Sequence, residues 1–317
     1  MIVPLYNKGA YVGRALGSIL SQDLSDFEII VVDDGSTDDG AEVVRQHRDP
    51  RIRLIQQPNR GPGAARNEGL RLSQGPLAAF LDADDEWLPT YLAQAVAALQ
   101  GAGEEVATHT CTYIEEPGGK DSTTLWRQRG FQSGTFRMTA ADSSEVLLHR
   151  VAFMSPCTTM VRTRVARDLG GFCETDGCRN AEDAHLWLRV LLTAKVSFLV
   201  EPHVRIHRDA SGLSATKRLS SRPLEPFLAR PDEVRALCPP DLREILEEFL
   251  AIRAFKTACA WSYWGKWSDA RMLLRSFDAP GRHRLPYYWL AHMAATPAGS
   301  AMGVLARVLS GLRTPQT

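Results

Sequence analysis

Asp82, Asp84 and Asp85 fall within four residues, in FLDADDEW, and carboxylates so close repel one another unless a cation offsets them. Oxygen-only ligands suit a hard ion such as Mn2+ or Mg2+, which keeps positions open for water and for phosphate oxygens. A metal held there would neutralise a departing diphosphate. Taken alone, the run reads equally well as an acidic turn capping a helix that begins near Trp87. A second pair, Asp33 and Asp34 in VVDDGSTD, can accept hydrogen bonds from a ribose or from the imide of a uracil, although DDGS by itself is a common turn. Pro58 to Leu70 (PNRGPGAARNEGL) is a glycine-rich loop opening a helix, with Arg60 and Arg66 able to face an anion. It has neither the Walker ending nor the GxGxxG fingerprint of dinucleotide binding. Arg66 serves as readily as a surface arginine on that helix.

The elements that must position these groups follow from periodicity. Ile2 to Pro4 and the apolar run Phe27 to Val32 read as strands, and Val12, Ala15, Leu16, Ile19 and Leu20 share one face of a helix over 11 to 21. A helix over 37 to 47, a strand over 52 to 56, a helix over 64 to 72 and a strand over 76 to 81 continue the alternation. Both acidic clusters therefore end strands, at the edge of an open α/β sheet where ligands bind. Residues 88 to 100 read as a helix with Pro89 in its first turn. The stretch 101 to 136 is turn-rich and yields no order of elements. A helix over 181 to 193 precedes a strand over 196 to 200. From about residue 215 the pattern changes: Pro223, Pro226, Pro231, Pro239 and Pro240 punctuate a connector, and 241 to 267 reads as a long amphipathic helix.

Composition excludes more than it identifies. Lys plus Arg and Asp plus Glu are 37 each among 317 residues, so no overall field draws the chain to nucleic acid or to an anionic membrane, with local patches left open. The six cysteines form no CxxC pair or zinc array and read as reduced thiols of a cytoplasmic protein, Cys173 and Cys178 included. The start MIVPLYN lacks the features of a signal peptide, and begins so close to the first strand that either part of that strand is expected to be absent or the true start to lie upstream. Residues 285 to 306 carry no Asp, Glu, Lys or Arg, but Pro286, Pro297, Gly299, Ser300 and Gly303 interrupt them, which disfavours a spanning helix. Trp, Arg and His interleaved from Arg253 to His292 suit either peripheral contact with the inner face of a membrane or a helical cap on the first domain.

Four motifs in order, VPLYN (3 to 7), EIIVVDDGSTD (28 to 38), PNRGPGAARNEGL (58 to 70) and FLDADDEWLP (80 to 89), resemble the family 2 glycosyltransferases over about residues 1 to 215. The segment 155 to 172 (SPCTTMVRTRVARDLGGF) looks like the acceptor-side region ahead of that family's catalytic acids. The resemblance implies a GT-A fold, a Rossmann-like and mostly parallel wound sheet flanked by helices, here with a helical C-terminal extension over 216 to 317. Residues 1 to 100 would be the nucleotide-sugar half and 101 to 215 the acceptor half. Pro4 and Tyr6 would line the nucleotide pocket, Asp34 with Asp33 would contact the base, and Arg66 would lie by the uracil or phosphates. Asp82 and Asp84 match the DxD positions that hold metal and ribose, with Asp85 sharing the metal and His207 approaching the diphosphate or the ion. Arg205 and Arg208 rank behind it as phosphate contacts.

In the family the Asp of the pair Glu182–Asp183 is the general base, and the chemistry wants one: an attacking sugar hydroxyl must lose a proton as the nucleotide diphosphate departs from the opposite face. A single in-line displacement through an oxocarbenium-like state inverts the anomeric carbon. The implied partners are a nucleotide-sugar donor, UDP-linked by analogy, and a saccharide or lipid-linked saccharide acceptor in polysaccharide or lipopolysaccharide assembly. Trp187 and the trio Trp261, Trp264 and Trp267 could stack on sugars, though helical spacing assigns the trio to packing. The competing readings are a non-catalytic nucleotide-sugar binding module and a sugar nucleotidylyltransferase. The first would not need both acid clusters, and the second needs a basic glycine-rich loop where PLYNKGAY stands.

Overall fold

A computed structural model describes residues 1–174, 178, 180–210 and 223–309. The chain divides into two compact units, Met1–Met138 with His149–Ser214, and Thr139–Leu148 with Ala215–Thr317. The order of elements in the first part of the chain is β1 (Ile2–Leu5), α1 (Gly9–Leu20), β2 (Ile29–Asp33), α2 (Gly40–Gln46), β3 (Ile52–Gln56), α3 (Pro62–Leu72), β4 (Leu77–Ala79), β5 (Glu86–Trp87) and α4 (Tyr91–Gly101). There follow β6 (Val106–Glu116), β7 (Lys120–Asp121), α5 (Thr123–Gln128), β8 (Gly134–Phe136), α6 (Ser144–Phe153), β9 (Thr159–Arg162), α7 (Thr163–Asp168), α8 (Glu182–Thr193) and β10 (Lys195–His207).

β1, β2 and β3 form a parallel sheet in that order, and β1 reaches the remaining strands through a parallel bridge between Ile2 and Phe80. Beyond it the order is β4, β9, β6, β10, β5, in which β6 and β10 run parallel and β9 and β5 enter antiparallel. This is an α/β fold with a mostly parallel central sheet flanked by helices. β2 is buried at every position, because a strand covered on both faces must be apolar throughout. Val12, Ala15, Leu16 and Ile19 of α1 pack into the same core as Val31, Leu81, Trp87 and Leu92.

Three expectations change. The turn-rich reading of 101 to 136 hid the central strand: β6 runs eleven residues, with Thr108, Thr110 and Thr112 fully buried, so its polar composition concealed a core position. The acidic run does not cap a helix at Trp87. Glu86 and Trp87 pair with Arg205 and Val204 of β10, so the aspartates form the turn between two strands. Non-local pairing outweighs the local capping signal there, and the helix starts only at Tyr91, with Pro89 ahead of it rather than in its first turn. The strand read over 196 to 200 extends from Lys195 to His207, which carries His207 back to the acidic turn.

The second unit is helical: α9 (Pro226–Ala229), α10 (Pro231–Leu237), α11 (Arg243–Tyr263), α12 (Trp267–Phe277), α13 (Tyr288–Ala294) and α14 (Pro297–Leu309). The long α11 is its spine, with Leu246, Leu250, Ala254, Phe255 and Ala258 fully buried. No described helix is long and apolar enough to cross a membrane.

Candidate active site

Two strand ends and two helix starts converge. β2 delivers Asp33 and Asp34, the strand after β4 delivers Asp82, Asp84 and Asp85, α3 brings Arg66, and α8 begins with Glu182 and Asp183. Gly63 explains how α3 comes so close to α8: a Cβ there would lie 2.4 Å from the carbonyl oxygen of Cys173 and 3.3 Å from Cγ of Glu182. Only a glycine lets the helix start approach that backbone.

Arg66 is buried and bridges the two acidic groups, its Nη2 donating to Asp82 Oδ1 at 2.7 Å and its Nη1 to Glu182 Oε1 at 3.0 Å. Its guanidinium also lies 5.3 Å from the ring centre of Phe172. Burial opposes the charge, but Asp82 and Glu182 outweigh it and hold Arg66 protonated. The surface-arginine alternative is thereby removed.

Asp183 follows Glu182 at the mouth of α8, behind Ala181, whose φ of 56° is a left-handed conformation that a non-glycine residue rarely adopts. Burial, and then the neighbouring Glu182, push the Asp183 carboxyl up to about 7, with Arg66 pulling the other way. A carboxylate with that proton affinity is matched to accepting a proton near neutrality.

In the acidic turn each aspartate has a different partner. Asp84 pairs with Lys8 Nζ at 2.6 Å, and Lys8 also donates to the carbonyl of Ala210. Asp82 takes Arg66, and Asp85 has no ion-pair partner among the described residues. Its Oδ1 accepts the backbone N–H of His207 at 2.9 Å and its Oδ2 the thiol of Cys157 at 3.3 Å. Burial, followed by the charges of Asp82 and Asp84, raises the Asp85 carboxyl to about 7. An uncompensated buried carboxylate next to two others is the arrangement a hard cation resolves. Ligand atoms of Asp82, Asp85 and Cys157 lie within 4.8 Å of one another. Burial keeps the Cys157 thiol protonated, so the sulfur acts as a donor to Asp85 and the oxygens are the groups that suit Mn2+ or Mg2+. The His207 imidazole is engaged elsewhere: Nε2 lies 2.9 Å from Glu86 Oε1.

The other expected residues are found as follows. Asp34 is an anchor for the glycine-rich loop, accepting Gln57 Nε2 at 2.7 Å, Arg60 N–H at 2.9 Å and Gly61 N–H at 2.8 Å, which leaves about one acceptor position for a ligand. Asp33 accepts from Ser36 and Gln56, and these bonds hold it below the ordinary carboxylate range against the opposing effect of burial. Pro4 lies in β1 opposite Val32, and Tyr6 is exposed just past the strand end. Arg205 and Arg208 pair with Glu116 and Glu115, and Trp187 is fully buried against Phe172, out of reach of a sugar. A cleft of about 370 Å³ lined by Glu86, Glu116, Pro117, Arg205, His207 and Asp209 opens beside the acidic turn. Lys8, Cys157 and Glu86 escaped sequence reasoning. Lys8 carried one signal, a cation directly after the first strand; Cys157 carried none, since its role comes from being 72 residues from Asp85 in sequence and in contact in space.

A GT-A-like α/β fold, with acidic clusters at the ends of its strands, is the class this sheet defines. The family model for glycosyl transferase family 2 matches residues 1–170, and the chain belongs to that family. An uncharacterized glycosyltransferase of Nostoc sp. is 39% identical over 126 residues, a match covering 39% of this chain and 38% of that relative, so the chain accounts for well under half of the relative's length. Among solved structures, residues 1–349 of TarS from S. aureus, in complex with UDP, superpose with a TM-score of 0.64 at 20% identity, covering 100% of this chain and 93% of that one. A mannosyltransferase from Pyrobaculum calidifontis, in complex with GDP-Man and Mn2+, gives 0.52 at 20% identity, covering 96% and 86%.

Proposed function

We propose that this glycosyltransferase moves a sugar from a nucleoside diphosphate donor, UDP-linked, onto a hydroxyl of a saccharide or lipid-linked saccharide, with inversion and with Asp183 as the base. The observation that carries the reading is the ion-pair network Asp82–Arg66–Glu182, which ties the donor-side acids to the residue beside the base. Residues 1 to 100 would hold the donor, 101 to 215 would face the acceptor, and 216 to 317 would serve as a helical extension. A divalent cation on Asp82 and Asp85 would supply charge neutralisation of the leaving diphosphate. Burial, and then Glu182 beside it in its pair with Arg66, keeps the proton affinity of Asp183 high. Asp183 takes the acceptor hydroxyl's proton as the anomeric bond to the new oxygen forms and the bond to the diphosphate breaks. The left-handed backbone at Ala181 and the close approach at Gly63 fix the start of α8, which supports Asp183 as the group that takes the proton. Lys8, paired with Asp84, would pass from that carboxylate to a phosphate oxygen when a donor arrives.

The test is a panel of UDP- and GDP-sugars assayed with Mn2+ and with Mg2+ for release of nucleoside diphosphate, with isothermal titration of the best donor. One UDP-sugar is expected to be turned over, and chelation to abolish it. Asp183→Asn is expected to bind that donor with little change and to lose about a thousandfold in turnover, within the range for a general base. Wild-type turnover by Asp183→Asn would remove the base assignment, and preference for a GDP-sugar would remove the uridine one.

A further inference from the structure

One flank of α1 is given over to the aspartate turn. Val12, Ala15, Leu16 and Ile19 are the buried face of the helix, and Tyr11, Arg14 and Ser18 form a row along the border of that face. Lys8, just ahead of the helix, pairs with Asp84, and its Nζ and the Arg14 guanidinium lie 5.6 and 5.7 Å from the Tyr11 ring centre. Ser18 Oγ accepts the N–H of Trp87 in β5 at 3.2 Å. Arg14 meets the turn at two points. Its Nη2 donates to the backbone carbonyl of Asp84 at 2.6 Å, and its Nε lies 3.0 Å from Glu86 Oε1. The same Glu86 oxygen is 2.9 Å from His207 Nε2, and His207 gives its backbone N–H to Asp85 Oδ1. Arg14 therefore grips the residue before Asp85 and the residue after it, and through Glu86 it steadies the strand end that binds the Asp85 carboxylate.

We infer that Arg14 is a positioning residue for the cation site: it holds the turn so that Asp85 presents its carboxylate beside Asp82 before a cation is bound. Three carboxylates crowded into four residues push one another apart, and the turn needs a restraint that leaves its ligand oxygens free. Lys8 and Arg66 each take a carboxylate oxygen, of Asp84 and of Asp82. Arg14 instead spends its two bonds on a backbone carbonyl and on Glu86, so it restrains the turn without consuming an oxygen that a cation would use. Both bonds leave from one edge of a planar guanidinium, which fixes the spacing of the two acceptors; a lysine ammonium carries the charge without that edge. The Arg14 side chain is 37% exposed, so its ion pair adds little to stability, and what it supplies is direction. Supporting groups of this kind govern metal affinity through the ligands they orient. The inference rests on the cation proposed above for Asp82 and Asp85, and goes beyond it in assigning the residue that prepares the site.

The experiment is isothermal titration of the full chain with UDP and, in parallel, with GDP, once in Mn2+ and once in EDTA, for the parent, Arg14→Lys and Ser18→Ala, each also melted thermally. Arg14→Lys is expected to melt close to the parent, to bind the nucleotide in EDTA as the parent does, and to lose about tenfold or more of the affinity that Mn2+ adds. Ser18→Ala loses a bond to Trp87 but none to the aspartates, and is expected to keep the full Mn2+ effect. An undiminished Mn2+ effect in Arg14→Lys would overturn the inference. So would an equal loss in EDTA, because Arg14 would then touch the nucleotide itself, and so would an equal loss in Ser18→Ala, because any loosening of the strand would then suffice. A parent that responds to Mn2+ with neither nucleotide removes the cation and this inference together, whereas a parent and an Arg14→Lys that respond alike remove this inference alone.

Discussion

Arg66 holds a buried charge between Asp82 and Glu182, and removing it leaves two carboxylates facing each other across the space. Arg66→Gln is therefore expected to cost about 3 kcal/mol in chemical denaturation, the scale for breaking one side of a buried pair. It should also move the acid limb of transfer to higher pH, because Arg66 opposes the rise at Asp183. In the parent that limb is expected near pH 7, where Asp183 becomes ionised: the base is lost as pH falls through about 7. A rate that stays flat from about pH 5 to 8 would contradict the assignment. The sign for stability runs the other way. A carboxyl whose folded pKa lies above its unfolded one is a burden when ionised, so Asp183→Asn is expected to stabilise the chain at about pH 8, with the gain vanishing toward about pH 4. Thermal melts of the two proteins at both pH values measure it.

At the scale of elements, the close approach of α3 to the segment before α8 rests on one missing methyl group. Gly63→Ala would set a Cβ 2.4 Å from the Cys173 carbonyl, backbone that cannot swing aside. The variant is expected to lose about 1–3 kcal/mol and most of its turnover, since α3 and Arg66 must retreat from Glu182. Unchanged melting and unchanged turnover would show that the approach is dispensable. β10 is the other element that decides the site. Its pairing with β5 converts the aspartate run from a helix cap into a strand-to-strand turn, and its far end donates the His207 N–H to Asp85. The first three strands and α1 to α3 were legible because their periodicity is local. β6 and the length of β10 were not, since buried threonines and mixed neighbours gain their place only from the strands beside them.

For the whole molecule, the second unit gathers Thr139–Leu148 together with Ala215–Thr317. A chain ending near 215 would strip that inserted segment, with Leu147 fully buried, of the helices grouped with it. Its melting temperature is expected to fall by several degrees, roughly what a loss of a few kcal/mol does to a chain this size. Donor at about a hundredfold its Kd should raise the melting temperature of the intact chain through the roughly 2.7 kcal/mol that binding adds to the folded state.

The order of motifs by itself determined the family, the strand-end location of both acidic clusters and Asp183 as the base to test, because those features are written in short contiguous stretches. Tertiary structure alone decided that Arg66 is a buried bridge between Asp82 and Glu182, that Asp84 answers to Lys8, and that Cys157 sits under Asp85. The physical reason is range: periodicity and turn chemistry act over a few residues, whereas a charge is compensated by whatever the fold brings within about 3–4 Å, however distant along the chain.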